Sequence, residues 1–435
     1  MARGKRITKI LVEISRLVVG ATFLFSGFVK AVDPLGFTYK IQDYLISFNL
    51  TELFPLSLPA AIVMVVAEFL IGVFVLLGIY RKLSVIAAAL FMAFFLPLTL
   101  WIALKNPVKD CGCFGDAFII SNWETFYKNV ALSACAVILL LYWKQITPLF
   151  SKRTAWMAAA FSLLFGIVFS VYNVVKLPVI DFRPFKIGAH IPTNMYVDPA
   201  KGDVFENIFV YSKNGESKEF TEDNYPWDDS TWTYVDMQTR LITEGEKPKI
   251  EDFAIEALNT DSTGATLVSA GDITEHLLSD ENYNFLMIAY SLEDMNLTHL
   301  NDFESISEYA ANRGYGFYCI TSTPSGALSD WSKKHNARFN FTHADERVLK
   351  TMIRSNPGLM LIKNGTVINK WDDGGLPALS ENDNFEEKIS PRKNFYTTFT
   401  VIILLFLIPL ILIKLTDLKR LNKTNDIQRD KINTK

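Results

Sequence analysis

The sequence predicts a helical membrane protein that carries one external α/β domain. Half of the 435 residues are apolar and only 20% are charged, below the ~25% of an average soluble domain. The charges are also segregated, with 35 acidic and 18 basic residues between Asp181 and Pro391 and an excess of basic residues at both chain ends. This pattern excludes a disordered chain, a small disulfide-stapled protein and a uniformly basic nucleic-acid binder.

Six apolar segments are predicted to cross the membrane, because each approaches or exceeds the ~20 residues that a span requires. They are Ile10–Val29, Leu58–Tyr80, Leu83–Leu104, Glu124–Trp143, Thr154–Val175 and Phe395–Ile413. The first is interrupted by Glu13 and Arg16, which lie three residues apart on one helix face and can pair. A secretory signal peptide is the alternative for this segment, but it lacks the small-residue cleavage pattern, so we favour a span.

The basic loops predict how the chain is oriented. The N-terminus, Arg81-Lys82, the basic residues between 144 and 153 and the C-terminal tail all fall on one side of the six spans. Since cytoplasmic loops carry the excess of Lys and Arg, both termini are predicted to be cytoplasmic and residues 176–393 to lie outside.

The external block is predicted to contain two parts. Residues 179–268 form a β-rich linker region with strands at Phe205–Tyr211 and Trp232–Met237. Residues 269–391 alternate buried strands with helices and predict a mixed sheet with helices on both faces. The predicted elements of this second part are strands at Phe285–Tyr290, Gly316–Thr321, Gly358–Ile362 and Thr366–Trp371, and helices at Leu297–Asn312, Gly326–Asn336 and Asp345–Arg354.

This order of elements resembles the thioredoxin fold, with Asn356-Pro357-Gly358 leading into a strand–Asn-Gly–strand hairpin. The resemblance implies a cis peptide bond before Pro357, although an isolated X-Pro bond is usually trans. The chain departs from that family where a thioredoxin carries Cys-x-x-Cys, because Ser291–Asn296 contains no cysteine. Cys319 lies inside an apolar strand and is interpreted as a buried hydrophobic residue. We therefore expect an α/β thioredoxin-like domain that lacks CxxC.

The cysteine pair Cys111-Gly112-Cys113 is the strongest chemical motif of the chain. It lies in the predicted outer loop after the third span, on the side where disulfides persist. A disulfide across one glycine is short and strained, and strained exposed disulfides are the readily reduced kind. A structural disulfide and an under-liganded metal site remain as alternatives. Asp110 and Asp116 are expected to raise the thiol pKa values unless Lys109 or Lys128 compensates.

Two ionisable residues of the predicted spans are candidate proton or quinone sites. Glu68 lies near the centre of the second span, and an ionisable residue at that depth is a functional candidate by default. Lys30 lies at the outer end of the first span and can face a quinone, a lipid head group or Asp33. The alternative for Glu68 is a structural ion pair with Lys30 or Arg16. Residues 36–50 predict an amphipathic helix, either at the membrane interface or packed as a loop helix.

Several of these motifs resemble the DoxX family and its four-span relative, the methylamine-utilisation protein MauE. The stretches LFSGFVKAVDPLG from Leu24 and EFLIG from Glu68 are similar to DoxX, and CGCFGD from Cys111 is similar to MauE. The resemblance covers roughly residues 8–145. It implies a four-helix bundle over residues 1–147, a fifth span over 148–178, and a sixth span with a basic tail over 392–435, as in DoxX/MauE–thioredoxin fusions of Bacteroidota.

The resemblance also implies a function. MauE is linked to maturation of the disulfide-rich methylamine dehydrogenase in methylamine metabolism, so the chain is expected in a bacterial inner membrane, with residues 176–393 periplasmic. Cys111 and Cys113 become catalytic candidates for thiol–disulfide chemistry, with a membrane quinone as candidate electron acceptor. An exported client protein or a separate thioredoxin is the candidate partner.

Two other functions stay open at this point. The first is a membrane-anchored scaffold without enzymatic activity, which binds a partner through the soluble domain. The second and weaker one is a small-solute transporter, for which Pro97 is a single candidate break in a span.

Overall fold

A computed structural model describes residues 2–108, 110–243, 245–260, 267–381, 383–390 and 395–433. The chain divides into two compact units. Residues 1–183 and 391–435 form the membrane unit, and residues 184–390 form the soluble unit.

Six helices of the described chain are long and apolar enough to cross a membrane. They are α1 (Ala2–Val32), α3 (Ser57–Leu77), α4 (Arg81–Lys105), α5 (Asn122–Tyr142), α6 (Ala155–Val175) and α13 (Phe395–Asn433). Each coincides with one of the predicted spans, so the protein is a multi-pass membrane protein whose helices require a lipid bilayer. The amphipathic stretch between the first two spans forms α2 (Pro34–Ser47), which packs against α3.

Helices α1 and α3 pack closely against each other in the membrane unit. A Cβ atom added to Gly27 would lie 2.4 Å from the backbone nitrogen of Phe69, and one added to Gly72 would lie 2.2 Å from that of Leu24. Small residues of this kind let transmembrane backbones approach each other. Helix α5 closes the bundle against α4 and α1. The shared core contains Val12, Val19, Phe23, Ile71, Val75, Val85, Ala88, Met92, Leu132, Ala136 and Leu139.

The charged residues of the first span are paired, as the sequence predicts. Arg16 lies 3.1 Å from the carboxylate of Glu13. The same guanidinium donates to the carbonyl oxygens of Val75 and Leu76 near the end of α3. These carbonyls belong to the last turn of α3 and lack partners within their own helix. Arg16 therefore caps the end of α3.

The last span is anchored to the loop between α5 and α6. Phe406 on α13 packs against Phe69 and Phe165 of the membrane unit. Further along α13, the buried carboxylate of Asp417 accepts hydrogen bonds from the backbone N–H and the hydroxyl of Ser151, at 3.1 and 2.5 Å. The sixth span is thereby held by aromatic packing and by a charge-assisted polar contact.

The soluble unit contains two sheets. The strands are β1 (Val204–Lys213), β2 (Glu216–Phe220), β3 (Thr233–Thr243), β4 (Glu256–Thr260), β5 (Leu267–Asp272), β6 (Tyr283–Ile288), β7 (Gly316–Thr321), β8 (Phe341–His343), β9 (Gly358–Lys363) and β10 (Thr366–Asp372). Strands β2-β1-β3 form an antiparallel sheet, and the other seven form a mixed sheet in the order β10-β9-β6-β7-β8-β4-β5. Within the larger sheet, β6, β7 and β8 are parallel.

Helices cover both faces of the larger sheet. They are α7 (Ile191–Met195), α8 (Thr274–Ser279), α9 (Leu300–Arg313), α10 (Ser325–His335), α11 (Glu346–Met352) and α12 (Phe385–Ile389). Phe285 and Met287 of β6 share one core with residues of α9, α10 and α12. The alternate residues Leu286 and Ile288 are also fully buried, and successive side chains of a strand point to opposite faces. Both faces are therefore closed, and the coarse prediction of a soluble α/β domain is confirmed.

The elements that the sequence predicts between residues 283 and 372 are present, with ends that coincide or are shifted by up to three residues. In the hairpin of β9 and β10, Asn364 and Gly365 both have positive φ, which a two-residue turn of type I′ requires. Strands β2, β4, β5 and β8 were not predicted, because they are short or polar and lack clear alternation. The predicted boundary between residues 268 and 269 falls inside β5, and β4 and β5 extend the larger sheet.

Candidate functional site

The loop between α4 and α5 folds back on itself at the cysteine pair. Gly112 has a φ of +65°, a conformation that a glycine adopts without strain. Its N–H donates to the side chain of Asp110 at 2.8 Å, and its carbonyl accepts from Gly115 at 3.1 Å. The turn brings the backbone N–H of Cys113 to 3.3 Å from the sulfur of Cys111. Gly112 thus allows the chain to bend between the two cysteines.

The sulfur of Cys111 is surrounded by hydrogen-bond donors. Besides the Cys113 N–H, the hydroxyl of Thr125 on α5 lies 3.2 Å away. Cys111 is buried, with 7% of its surface exposed, whereas Cys113 is partly exposed. Both are free thiols in this structure, which is the reduced state of the predicted pair. Tyr44 of α2 donates to the carbonyl of Cys111 at 3.0 Å and ties the cysteine loop to α2.

These contacts separate the two cysteines by acidity. The hydrogen bond from the Cys113 thiol lowers the pKa of Cys111 to about 6, and the Thr125 hydroxyl, the Cys113 N–H and the charge of Lys128 act in the same direction. The shared hydrogen bond and burial raise the pKa of Cys113 well above its ordinary value. These contacts therefore favour the thiolate on Cys111 and the protonated thiol, which donates to it, on Cys113.

One of the two acidic neighbours, Asp110, is paired with a cation. Asp110 was expected to raise the thiol pKa values, but its carboxylate lies 2.7 Å from the ammonium of Lys40 on α2 and is balanced by it. Lys128, one of the two predicted compensating cations, lies 4.3 Å from the ring centroid of Phe114 and beside the cysteines. Lys109, the other, lies outside the described residues. The net environment of Cys111 is consequently one that favours a negative charge.

A cavity of about 40 Å³ lies next to Cys113, inside the bundle of the first four spans. A volume of this size holds two or three water molecules, because one water needs ~10–15 Å³. The cavity is lined by Thr22, Phe23, Ser26, Lys30, Glu68, Phe91, Met92, Phe95, Cys113, Lys128, Asn129 and Leu132. It combines aromatic walls with two ammonium groups and one carboxylate.

Lys30 and Glu68 meet at this cavity. The ammonium of Lys30 lies 2.8 Å from the carboxylate of Glu68 and 3.2 Å from the hydroxyl of Ser26. Ser26 in turn donates to the carbonyl of Cys113 at 2.5 Å. Of the two ion-pair partners that the sequence offers for Glu68, the structure pairs it with Lys30. Asp33, which the sequence offers as a partner of Lys30, accepts a hydrogen bond from the N–H of Gly36 and caps the start of α2. A continuous polar path leads from Glu68 through Lys30 and Ser26 to the cysteine loop.

The other cysteines and Pro357 lie elsewhere. Cys135 on α5 packs beside the core of the bundle, and Cys319 is fully buried in β7, where burial raises its thiol pKa. The Asn356–Pro357 bond is cis, at the start of β9 in the soluble unit. The side chain of Asn356 donates to the carbonyl of Ser291, so the segment that lacks CxxC lies against the proline loop. Across the described chain, no group of three His, Cys, Asp or Glu side chains is placed to hold a metal ion.

Three contributors to the site were missed at the level of sequence. Thr125, Lys40 and Ser26 belong to three different helices, and nothing in their local sequence relates them to the cysteines. One signal was available for Ser26, because it precedes Lys30 by four residues and so lies on the same face of α1. Lys40 and Tyr44 are also four residues apart and so lie on the same face of α2.

Comparison with known families agrees with this picture of the membrane unit. Residues 8–142 match the family described as methylamine utilisation protein MauE. Residues 205–244, which span most of the three-stranded sheet, match a domain of unknown function, DUF8463. No curated protein and no solved structure shows significant similarity to the chain. The MauE match contains the first four spans, the cysteine pair, Lys30 and Glu68, and these spans therefore form a MauE-like membrane region.

Proposed function

We propose that this protein exchanges thiols and disulfides with exported proteins through Cys111 and Cys113, as a membrane oxidoreductase of the MauE group. The observation that carries the proposal is the environment of the Cys111 sulfur, which accepts from Cys113 and Thr125 beside Lys128. A structural cysteine pair has no need of a stabilised thiolate. A thiol-exchange pair does, because the thiolate is the reactive form and the better leaving group.

The orientation that suits this activity has both termini in the cytoplasm of a bacterial inner membrane, and the cysteine loop and residues 176–393 in the periplasm. Loop contacts support it. The cysteine loop is bonded to α2 through Lys40 and Tyr44, and both segments are predicted to be outside. At the other end, Arg81 donates to the carbonyls of Lys144 and Ile146, which joins two loops predicted to be cytoplasmic.

The exchange begins on the oxidised pair. A client thiolate attacks the sulfur of Cys113, which is the more exposed residue of the two, and the S–S bond breaks with its electron pair on Cys111. Cys111 is a good leaving group, because a thiol with a lowered pKa leaves readily as the thiolate. A second client thiolate then attacks the client sulfur of the mixed disulfide, and Cys113 leaves and takes up a proton. The client has lost two electrons and gained a disulfide, and the pair is left as thiolate and thiol.

Renewal of the disulfide requires a two-electron oxidant. The cavity beside Cys113 has room for water molecules but is too small for a quinone ring, since ligand pockets commonly measure ~300 Å³ or more. We therefore assign no quinone step to it. The balanced alternative is a second exchange, in which Cys111 attacks the disulfide of a separate thioredoxin-like partner. Cys113 then resolves the mixed disulfide and releases the partner as a dithiol. Lys30 and Glu68 supply a proton path to this loop.

The soluble unit is proposed to be a thioredoxin-like domain without a redox centre of its own. The order β10-β9-β6-β7, with β6 and β7 parallel and β9 antiparallel to β6, supports this assignment. Since Cys319 is buried and Ser291–Asn296 contains no cysteine, such a domain would hold a client rather than oxidise it. A binding scaffold anchored in the membrane is consequently the second candidate function.

One experiment separates the two functions. The full chain in lipid nanodiscs is oxidised with diamide, freed of reagent and mixed with a reduced dithiol peptide, and peptide disulfide is counted by mass spectrometry. We expect one peptide disulfide per chain from the wild type and from the control Cys135→Ser. We expect none from Cys111→Ser or Cys113→Ser. Equal oxidation by Cys111→Ser, or a wild-type pair that stays reduced with diamide, would overturn the oxidoreductase and leave the scaffold.

A further inference from the structure

The three-stranded sheet ends in a long exposed edge strand. Strand β3 runs for 11 residues, and all of them are exposed. One of its edges pairs with β1, and within the described ranges no segment pairs with the other edge. We call this second side the β3 edge. Its strand carries neither Lys nor Pro, the residues that commonly protect an edge from pairing.

The charges of β3 are complementary to themselves. The register with β1 is regular from Asp236 to Leu241 and shifts on either side. If two copies of β3 are placed antiparallel with Gln238 opposite Gln238, then Asp236 of each copy faces Arg240 of the other. The arrangement forms two opposite-charge pairs related by a two-fold axis, and such cross-strand pairs stabilise a sheet. Met237 then faces Thr239, and no like charges meet.

The ends of the same pairing are apolar. Tyr234, Val235, Leu241 and Ile242 lie at the two ends of the strand, and each of these side chains is exposed in the single chain. Val235 and Ile242 retain 54% and 53% of their accessible surface. Association would remove part of this apolar surface from water, which is favourable. In the single chain, Arg240 contacts Glu219 at 3.3 Å, and both side chains are exposed. An exposed ion pair of this kind contributes little to the stability of the fold.

We infer that two copies of this protein pair through the β3 edge, forming a six-stranded sheet with the order β2-β1-β3-β3-β1-β2. A second copy is the occupant that the charges favour, because a strand of another protein would need the reversed Asp/Arg order by coincidence. The inference does not depend on the proposed redox function. Both copies are anchored in the same bilayer, so the two-fold axis has to run along the membrane normal.

Cross-linking at the axis tests the register. In an antiparallel pair, directly opposite Cα atoms lie ~4.5–5.5 Å apart, which is within the ~4.4–6.8 Å that a disulfide spans. The Gln238→Cys variant of the full chain in native membranes should therefore form a covalent dimer with a mild oxidant. Wild type, with its four native cysteines, and Ser217→Cys on the outer strand β2 are the matched controls. A dimer from the controls in equal yield would contradict the register.

Charge reversal tests the contact itself. In detergent, Asp236→Arg and Arg240→Asp each turn both cross-strand pairs repulsive, and we expect each to raise the dimer dissociation constant roughly tenfold or more. The double variant restores both pairs and should return to the wild-type value. Light scattering of the full chain reports the mass. Circular dichroism distinguishes loss of pairing from loss of folding. A monomeric wild type at all concentrations, or a double variant no better than the single ones, would overturn the inference.

Discussion

The backbone N–H of Cys113 donates to the sulfur of Cys111 across 3.3 Å, although only Gly112 separates the two residues. This contact exists because Gly112 adopts a positive φ and turns the chain back on itself. A thiolate at Cys111 is thus stabilised by the motif's own backbone as well as by Thr125 from the following helix. The reactivity that we propose for the pair rests on this arrangement and can be tested.

The first prediction concerns pH. Because the pKa of Cys111 is lowered to about 6, alkylation of the reduced protein by iodoacetamide should rise with pH and level off above about pH 7. Below pH 6 the rate should fall about tenfold per unit, since the thiolate is the reactive form. Mass spectrometry of the labelled peptide gives the rate. Cys319 should stay unlabelled while the domain is folded. A midpoint near 8.5–9 would contradict the stabilised thiolate.

The second prediction isolates the Thr125 hydroxyl. Thr125→Val keeps the shape of the side chain and removes the donor to Cys111, so the alkylation midpoint should shift upward by roughly half to one pH unit. Thr38→Val is the matched control, because the Thr38 hydroxyl bonds only the carbonyl of Pro34 on α2 among the contacts described. Equal midpoints in Thr125→Val and wild type would show that Thr125 does not stabilise the thiolate.

The third prediction concerns the ion pair of Lys30 and Glu68. Glu68→Gln leaves the Lys30 ammonium buried without a counter-charge, and loss of one partner of a buried pair costs roughly 3–5 kcal/mol. The double change Lys30→Met with Glu68→Met should recover most of that loss, since no charge is left unpaired. The midpoint of thermal unfolding in one detergent measures both. Glu13→Gln, at a more exposed pair, should lose less than about 1 kcal/mol. Additive losses in the double variant would refute the coupling.

The fourth prediction concerns the contact of α1 and α3. Gly72→Ala places a Cβ atom 2.2 Å from the backbone nitrogen of Leu24, so the helices must move apart. Overpacking of this kind costs roughly 1–3 kcal/mol or more, and the unfolding midpoint should fall accordingly. Gly166→Ala on α6 is the control, because its Cβ would meet the nearest side chain at 3.4 Å, an ordinary contact. Equal stability of the two variants would argue against the close helix pair.

Much of the fold could be predicted from residues that are neighbours along the chain. Six apolar runs determined six spans, and Asn364-Gly365 between two apolar stretches determined the hairpin of β9 and β10. The pairing of Glu13 with Arg16 was predictable for the same reason, since three residues bring them to one helix face. Strands β4 and β5 were not predictable in this way, because their short polar sequences become strands by pairing within the larger sheet.

The sequence by itself determined that Cys111 and Cys113 lie one glycine apart in a loop between two spans. Only the tertiary structure decided what those sulfurs can do, because the acidity of a thiol depends on charges and donors within a few ångströms, wherever they occur in the chain. Lys40 forms an ion pair with Asp110, which lies 70 residues further along the chain, and Lys30 forms one with Glu68, which lies 38 residues further along. Contacts over such separations are formed by helix packing, which local patterns of residues do not encode.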